Sequence, residues 1–184
     1  MINLEKKIFV IRHCEAEGQS SEARLTAQGV RQAADLAEFF VDVKMNRIIS
    51  SPFLRAIQSI ERAAAREKID LEVEDRLAER ILSREVLPDW LEKLKATYDD
   101  LDLKFDHGES SREAMHRVVS VVEEIFKSDS ENTLIVTHGN LMSLLLKNYL
   151  PDFGFEQWRN LTNPDVFLLK LTNNEISIDR LWRG

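Results

Sequence analysis

The stretch KIFVIRHCEAEGQSS, residues 7–21, decides how this chain is expected to fold. Residues 8–11 are four consecutive apolar residues, and such a short continuous run is typical of a buried strand in a parallel sheet. The run ends on Arg12 and His13, side by side. A buried strand has no structural use for two such groups at its end, so we expect this end to bind anions or move protons.

Two further short apolar runs, residues 47–50 and 133–137, predict two more buried parallel strands. Between the three runs, apolar residues recur at helical spacing and predict two helices. They are Val30, Ala33, Ala34, Ala37, Phe40 and Val41, and then Met115, Val118, Val119, Val122, Ile125 and Phe126. Residues 165–182, DVFLLKLTNNEISIDRLW, predict a hairpin that turns at Asn173 and Asn174. The alternation of strands and helices predicts an α/β layered domain with a largely parallel sheet.

Two helix starts are marked by their capping residues. Ser51 followed by Pro52 predicts a helix whose first position is the proline. Ser110 and Glu113 have the spacing of a capping box, which predicts a helix that runs to about residue 127. A third helix is predicted by residues 87–101, LPDWLEKLKATYDDL, with four inward-facing side chains: Trp90, Leu91, Leu94 and Tyr98.

The composition predicts one domain over residues 1–184, because 184 residues of which 43% are hydrophobic can bury a sizeable core. The formal net charge of −7 argues against nucleic acid or an anionic membrane as a partner. A small anionic substrate remains compatible, since exposed charges more than about 8 Å apart are largely screened. No apolar run approaches the ~20 residues of a transmembrane helix, and the N-terminus has no signal-peptide pattern. The single cysteine, Cys14, fits a reducing, cytoplasmic setting.

The carboxyl ends of the three predicted strands carry the residues of interest, since ligands of parallel α/β sheets bind beyond these ends. Arg12 and His13 follow the first strand, Arg55 lies one turn into the helix after the second, and His138 follows the third. Guanidinium groups match phosphate oxygens in pairs, and the first N–H groups of the helices after Ser51 and His138 are expected to add donors. A neutral imidazole can attack phosphorus and carry the phosphoryl group. The departing alcohol then needs a proton, so we expect a carboxylic acid nearby.

Six segments occur in an order that resembles the histidine phosphatase superfamily, the phosphoglycerate mutase-like family. They are VIRHCEAEGQ, LTAQGVRQA, SSPFLRAIQS, RLAER, GES and LIVTHGN, between residues 10 and 140. The resemblance implies a three-layer α/β/α sandwich with a mostly parallel central sheet and a small cap at about residues 80–109. It implies His13 as the nucleophile, Glu79 of RLAER as the proton donor, and Arg12, Arg55 and His138 as phosphate ligands. The candidate pocket-lining residues are Cys14, Gln19, Gly139 and Asn140.

One residue departs from the family pattern, because Cys14 stands where the family normally carries glycine. A glycine allows the backbone and the phosphate to approach closely, so we expect Cys14 to lower catalytic efficiency. A cysteine-phosphatase loop would need an arginine six positions after Cys14, where this chain has Ser20. The cysteine is therefore disfavoured as the nucleophile.

The resulting expectation is hydrolysis of a small phosphorylated substrate through a phosphohistidine, without metal or other cofactor. No histidine pair has the spacing of a zinc site. One alternative is a phosphoglycerate mutase, but mutases of this family carry ERHYG and a longer cap, whereas this chain has ERILS at residues 79–83, which begins with the candidate acid Glu79. A second alternative is a phospholigand-binding protein whose catalysis Cys14 has impaired. His107, Glu109 and Ser110 are expected near the pocket mouth, and His116 on the surface.

Overall fold

A six-stranded sheet lies at the centre of the computed structural model, which describes residues 5–183. The strands are β1 (Lys6–Arg12), β2 (Arg47–Ser50), β3 (Leu71–Val73), β4 (Asn132–Thr137), β5 (Asp165–Thr172) and β6 (Glu175–Arg180). Their spatial order is β3-β2-β4-β1-β5-β6. The pairs from β3 to β1 are parallel, whereas β5 is antiparallel to both β1 and β6. The predicted strands at residues 8–11, 47–50 and 133–137 are confirmed, as is the hairpin.

Helices cover both faces of the sheet. They are α1 (Ala27–Phe39), α2 (Leu54–Glu67), α3 (Trp90–Asp99), α4 (Ser111–Lys127), α5 (Gly139–Tyr149) and α6 (Phe155–Arg159), with a 3-10 turn at Asp75–Leu77. The helices α1 and α2 pack on one face, and α3, α4 and α5 share a core with the other face. The predicted three-layer α/β/α architecture is confirmed.

The strand β1 shows why its sequence is continuously apolar. Ile8 and Val10 pack against the α4 and α5 side of the sheet, and Phe9 and Ile11 pack against the α1 and α2 side. Alternate side chains of a strand point to opposite faces, so a strand covered on both faces needs apolar residues at every position.

The two capping predictions have different outcomes. At α4 the capping box is confirmed, since Ser110 Oγ accepts the Glu113 N–H at 3.1 Å and the Glu113 carboxylate accepts the Ser110 N–H at 2.8 Å. The prediction for Ser51 is wrong, because α2 begins at Leu54, after Phe53. The Ser51 hydroxyl instead lies 2.7 Å from His138 Nε2.

The predicted inward face of α3 is half right. Leu94 and Tyr98 are buried as predicted, whereas Trp90 and Leu91 are 49% and 42% exposed. Trp90 is the first residue of α3 and lies at the edge of a cleft rather than over the core. Residues 80–109, the predicted cap region, contain α3 and the loops that flank it. No helix within residues 5–183 is long and apolar enough to cross a membrane.

Candidate active site

The polar residues predicted to converge lie at the carboxyl ends of β1, β2 and β4, which are neighbours in the sheet. Arg12 is the last residue of β1, paired with Thr137 at the end of β4, so His13 and His138 follow adjacent strands. Their ring centroids are 5.0 Å apart. The Nε–H group of Arg55, near the start of α2, donates to Nε2 of His13 at 3.3 Å. The topology therefore brings His13, Arg55 and His138 together.

His13 is held as a neutral imidazole with its proton on Nδ1. That nitrogen donates to the Cys14 carbonyl oxygen at 2.7 Å, which leaves the lone pair on Nε2. The pKa of His13 is lowered to about 3, chiefly by burial and also by the charges of Arg55 and Arg12, while the hydrogen bond to the Cys14 carbonyl opposes them. The result is an unprotonated Nε2 that faces the guanidinium of Arg55.

His138 has the same tautomer for a different reason. The ring is fully buried, and its Nε2 lies 2.7 Å from Ser51 Oγ. The Ser51 oxygen already accepts the Phe53 N–H at 3.2 Å. Among the described residues, the Ser51 hydroxyl hydrogen can be donated to His138 Nε2, which then acts as the acceptor. Burial and the nearby His13 hold the pKa of His138 well below its usual value. The neutral ring therefore carries its hydrogen on Nδ1, a buried atom with no hydrogen-bond partner among the described residues.

Arg12 and Arg55 bring two positive charges to the site. Arg12 donates through Nη1 to the carbonyl oxygens of Leu161 and Thr162 at 3.2 and 3.4 Å. Arg55 is fully buried, donates to the Ser20 carbonyl at 2.7 Å and has its guanidinium carbon 4.9 Å from the Phe53 ring centroid. Within residues 5–183, neither arginine has a carboxylate within 4.0 Å. A buried guanidinium and a half-buried one, neither with a close counter-ion, form a site for an anion.

Gly139 allows Arg12 to lie across the start of α5. A Cβ atom at this position would lie 2.9 Å from the Arg12 guanidinium carbon, which is closer than carbon atoms pack. The glycine is thus required for the approach of a side chain and not for its own backbone conformation, because its φ is not positive.

Glu79 is anchored by three backbone N–H groups. Its Oε1 accepts from Arg80 at 2.7 Å and from Leu141 at 2.9 Å, and its Oε2 accepts from Asn140 at 3.1 Å. Burial lowers the pKa of Arg12 and Arg55, and the charge of Glu79 raises the pKa of both, so the carboxylate faces the same site.

Four of the N–H groups at the two helix starts are already engaged within the protein. Asn140 and Leu141 of α5 donate to Glu79, Phe53 donates to Ser51 Oγ, and Leu54 donates to the Ser21 carbonyl at 2.9 Å. These four N–H groups therefore do not serve an anion in this structure.

A cleft of about 650 Å³ opens beside these residues. It is lined by Arg12, Gln19, Glu79, Arg80, Leu82, Trp90, Leu94, Gly139, Asn140 and Trp158. Gln19, Gly139 and Asn140 thus lie where pocket-lining residues were predicted. Arg12 and Glu79 line the cleft itself, whereas His13, Arg55 and His138 lie beside it and are not among its lining residues.

Cys14 does not line the cleft, and the prediction that it does is wrong. Its side chain is fully buried in the core between the sheet and the helices α1 and α2. His13 and Cys14 are consecutive in extended chain, so their side chains point in opposite directions. Burial raises the pKa of the Cys14 thiol to about 11, and its φ is not positive, so nothing in its backbone requires a glycine.

The sequence profile of the histidine phosphatase superfamily (branch 1) matches residues 8–182. This chain belongs to the histidine phosphatase superfamily. Comparison with curated proteins finds no significant match to the sequence.

Three solved structures show how widely this fold of the superfamily is shared. Mycobacterial glucosyl-3-phosphoglycerate phosphatase is 21% identical with a TM-score of 0.75, over 96% of this chain and 97% of that chain. Alpha-ribazole phosphatase from Shigella flexneri is 18% identical with a TM-score of 0.76, over 95% of each chain. A phosphoserine phosphatase mutant from Entamoeba histolytica, in complex with phosphoserine, is 16% identical with a TM-score of 0.74, over 94% of each chain. At these identities the similarity establishes the fold.

The residues expected near the mouth lie outside the cleft lining of this histidine phosphatase superfamily member. His107 is exposed in a loop with a positive φ of 54°. Glu109 forms an ion pair with Arg117 at 2.7 Å, and Ser110 is the buried cap of α4. None of the three is among the residues that line the cleft, although the Glu109 carbonyl accepts from the lining residue Arg80. His116 is exposed on α4, as predicted.

Several residues in or near the site are not predicted by the sequence patterns described above. Arg80 stands in the RLAER segment but was not singled out, and its guanidinium donates to the Glu109 carbonyl and the Thr97 hydroxyl. Asn163 donates to the His13 carbonyl at 2.9 Å from the loop before β5. Trp158 lies on α6, a helix of five residues without a recognisable motif. The Ser51 and Pro52 pair carried a signal that was interpreted as a helix cap.

Proposed function

We propose that this protein is a phosphatase that hydrolyses phosphate monoesters through a phosphohistidine on His13. The observation that carries the proposal is the unprotonated Nε2 of His13, set 3.3 Å from the Arg55 guanidinium in a buried, positively charged site. The three solved structures with this fold are named as phosphatases, which supports the same activity here. Two buried N–H donors without a protein partner, Nε of Arg12 and Nδ1 of His138, support a phosphoryl group as the ligand.

In the first step, the Nε2 lone pair of His13 attacks phosphorus and the bond from phosphorus to the ester oxygen breaks. The Arg55 N–H that contacts Nε2 in the free protein turns to a phosphoryl oxygen, together with Arg12 and His138. The leaving oxygen takes a proton from the Glu79 carboxyl group and departs as an alcohol.

In the second step, water attacks the phosphorus of phosphohistidine and gives a proton to the Glu79 carboxylate. The bond from phosphorus to nitrogen breaks, and its electron pair returns to Nε2 of His13. The sum of the two steps is one ester and one water converted to one alcohol and one phosphate. Glu79 serves once as acid and once as base, so it ends in its starting state.

The proposal includes catalysis without a metal ion, because Arg12, Arg55 and His138 supply the positive field that stabilises the transferring group. It also includes a small phosphorylated substrate and a cytoplasmic location. The net charge of −7 supports neither nucleic acid nor an anionic membrane as a partner. The buried Cys14 suits a reducing compartment.

The structure favours hydrolysis over the two alternatives. A mutase must hold a charged glycerate beside the phosphoryl group, and the Arg80 guanidinium in the cleft already donates to Glu109 and Thr97. A protein impaired by Cys14 would need that side chain to disturb the pocket, and it lies in the core instead.

The test is turnover of p-nitrophenyl phosphate combined with trapping of the phosphoenzyme. His13→Ala should reduce turnover to background, and alkaline quenching of the wild type should preserve an acid-labile phosphoryl group on His13. His116→Ala is the matched control, because His116 is exposed on α4 and should leave both signals unchanged. Full turnover by His13→Ala would refute the mechanism. Absence of turnover in the wild type would leave the phospholigand-binding alternative, and conversion of 3-phosphoglycerate to 2-phosphoglycerate would establish the mutase.

A further inference from the structure

The cleft is larger than a phosphoryl group requires. Its volume of about 650 Å³ lies in the range of about 300–1,000 Å³ that is typical of sites for whole small molecules. Arg12, Glu79, Gly139 and Asn140 form the side next to His13 and His138. The remaining volume is therefore left for the alcohol part of the substrate.

The wall that faces this remaining volume is apolar and partly aromatic. Its apolar members are Leu82, Trp90, Leu94 and Trp158, and the polar side chain of Gln19 also lines the cleft. Trp158 packs against Phe155, with ring centroids 5.4 Å apart and planes inclined by 30°. Arg80 also lies there, but its contacts with the Glu109 carbonyl and the Thr97 hydroxyl occupy both ends of its guanidinium. The free contact surface of this wall belongs to the two indoles and two leucines.

Trp90 is the unusual member of this wall. It is 49% exposed, and no aromatic pair among the described residues includes it. Tryptophan is costly to leave in water because it carries a large apolar surface, and exposed apolar surface in a groove marks a place where a ligand binds. A ligand that covers Trp90 while its phosphoryl group lies at His13 would contact the indole with its alcohol part.

We propose that the substrates of this protein are phosphate monoesters of alcohols that carry an aromatic ring, and that Trp90 and Trp158 bind this ring. The inference rests on the phosphatase activity proposed above. An aromatic ring is favoured over an aliphatic group of equal size, because offset or edge-on contacts between rings add to the effect of buried area. Leu82 and Leu94 contribute burial that does not distinguish the two.

The test compares two non-hydrolysable anions of the same charge and the same number of carbon atoms, benzylphosphonate and cyclohexylmethylphosphonate. Each is titrated calorimetrically into the full-length protein, and inorganic phosphate is titrated separately. Ring contacts predict that benzylphosphonate binds about three- to tenfold more tightly than cyclohexylmethylphosphonate. Trp90→Ala should abolish this preference and leave the affinity for inorganic phosphate unchanged.

Val86→Ala is the matched control. Val86 is 92% exposed, lies four residues before Trp90 and does not line the cleft, so its loss should not change any of the three affinities. Because Trp90 is half exposed, its truncation leaves the core intact, and Trp90→Ala decides the test even if Trp158→Ala does not fold.

The outcomes separate this inference from the proposed function. Phosphate that fails to bind the wild-type protein would overturn both. Phosphate that binds while the two phosphonates bind equally would overturn the aromatic substrate class and leave the phosphatase proposal standing. A preference for benzylphosphonate that persists in Trp90→Ala would likewise overturn the role of Trp90.

Discussion

Replacing Glu79 by glutamine should have two separable effects, one on stability and one on proton transfer. The Glu79 carboxylate accepts N–H groups at both oxygens, two at Oε1 and one at Oε2. If the glutamine carbonyl takes the position of Oε1, its NH₂ group faces the Asn140 N–H, and two donors meet. Loss of one charge-assisted hydrogen bond (about 1.5–3 kcal/mol) and of a negative charge at the start of α5 (about 0.3–1 kcal/mol) gives a stability loss of about 2–4 kcal/mol.

The effect on catalysis should depend on the leaving group. General acid catalysis is worth about 10²–10⁴-fold where the departing oxygen needs a proton. Benzyl phosphate releases an alkyl alcohol, which is a poor leaving group, whereas p-nitrophenolate departs readily as an anion. Glu79→Gln should therefore slow phosphorylation of His13 by benzyl phosphate about 10²–10⁴-fold and by p-nitrophenyl phosphate far less. Both substrates carry one benzene ring, so their contacts with the wall at Trp90 are similar.

The assay is rapid-quench measurement of phosphoenzyme formation, because hydrolysis of phosphohistidine is common to both substrates and would mask the difference. Urea denaturation of the variant measures the stability loss and fixes a temperature at which the protein is folded. Glu109→Gln is the control, since Glu109 pairs with Arg117 and does not line the cleft. Equal losses with the two substrates would refute proton donation by Glu79 and would leave it the task of holding the start of α5.

Four further outcomes follow from the site. Ser51→Ala should lower kcat/KM about three- to tenfold, because a lost hydrogen bond no longer holds the His138 tautomer, which ¹⁵N NMR would report. Cys14→Gly should lower stability by about 1–3 kcal/mol in urea denaturation, through a cavity in the core, and should leave kcat within about twofold. His13→Ala should flatten the fall of stability with acidification below pH 6.5: the unfolded chain gains a proton at His13 that the folded protein, with a pKa of about 3, does not accept. EDTA should leave turnover intact, and vanadate should inhibit it.

Each of these outcomes has a result that would contradict it. Ser50→Ala is the control for Ser51, because the Ser50 hydroxyl donates to the Ser51 carbonyl and not to His138. Equal effects of the two variants would mean that the tautomer is not at issue. A rise in stability on Cys14→Gly would contradict the burial of the thiol. Equal acid destabilisation of His13→Ala and the wild type would contradict the lowered pKa. Activity lost to EDTA and restored by a divalent ion would refute catalysis without metal.

The architecture was predictable because strand burial leaves a direct trace in the sequence. Residues 8–11 have no polar member because both faces of β1 are covered, and the apolar residues in the middle of β2 and β4, residues 48–49 and 134–136, are buried for the same reason. Asn173 and Asn174 were predictable as a turn since both adopt positive φ, which asparagine tolerates. The short strand β3 was not predicted, because Glu72 and Val73 are exposed at the edge of the sheet and leave no periodic pattern.

Some residues of the candidate site were predictable from the strand pattern, and others were not. His13, Arg55 and His138 follow strand ends, so sheet topology alone predicts that they meet, and the structure brings them together. Glu79 follows a 3-10 turn rather than a strand of the site, and only the family resemblance singled it out. The resemblance compares residue types and does not show where a side chain points. The burial of Cys14 in the core therefore could not be predicted from it.

The error at Trp90 shows a limit of amphipathic patterns that bears on function. Periodicity predicts which apolar residues share one face of a helix, but it cannot distinguish a face that covers a core from one that borders a cavity. Leu94 and Tyr98 meet α4 and α5, whereas Trp90 lies one turn earlier, where the covering elements end and the cleft opens. A tryptophan that binds a ligand and a tryptophan that packs in a core have the same helical spacing in the sequence. Exposed apolar residues of a helix at the edge of a cleft are therefore candidates for contact with the substrate.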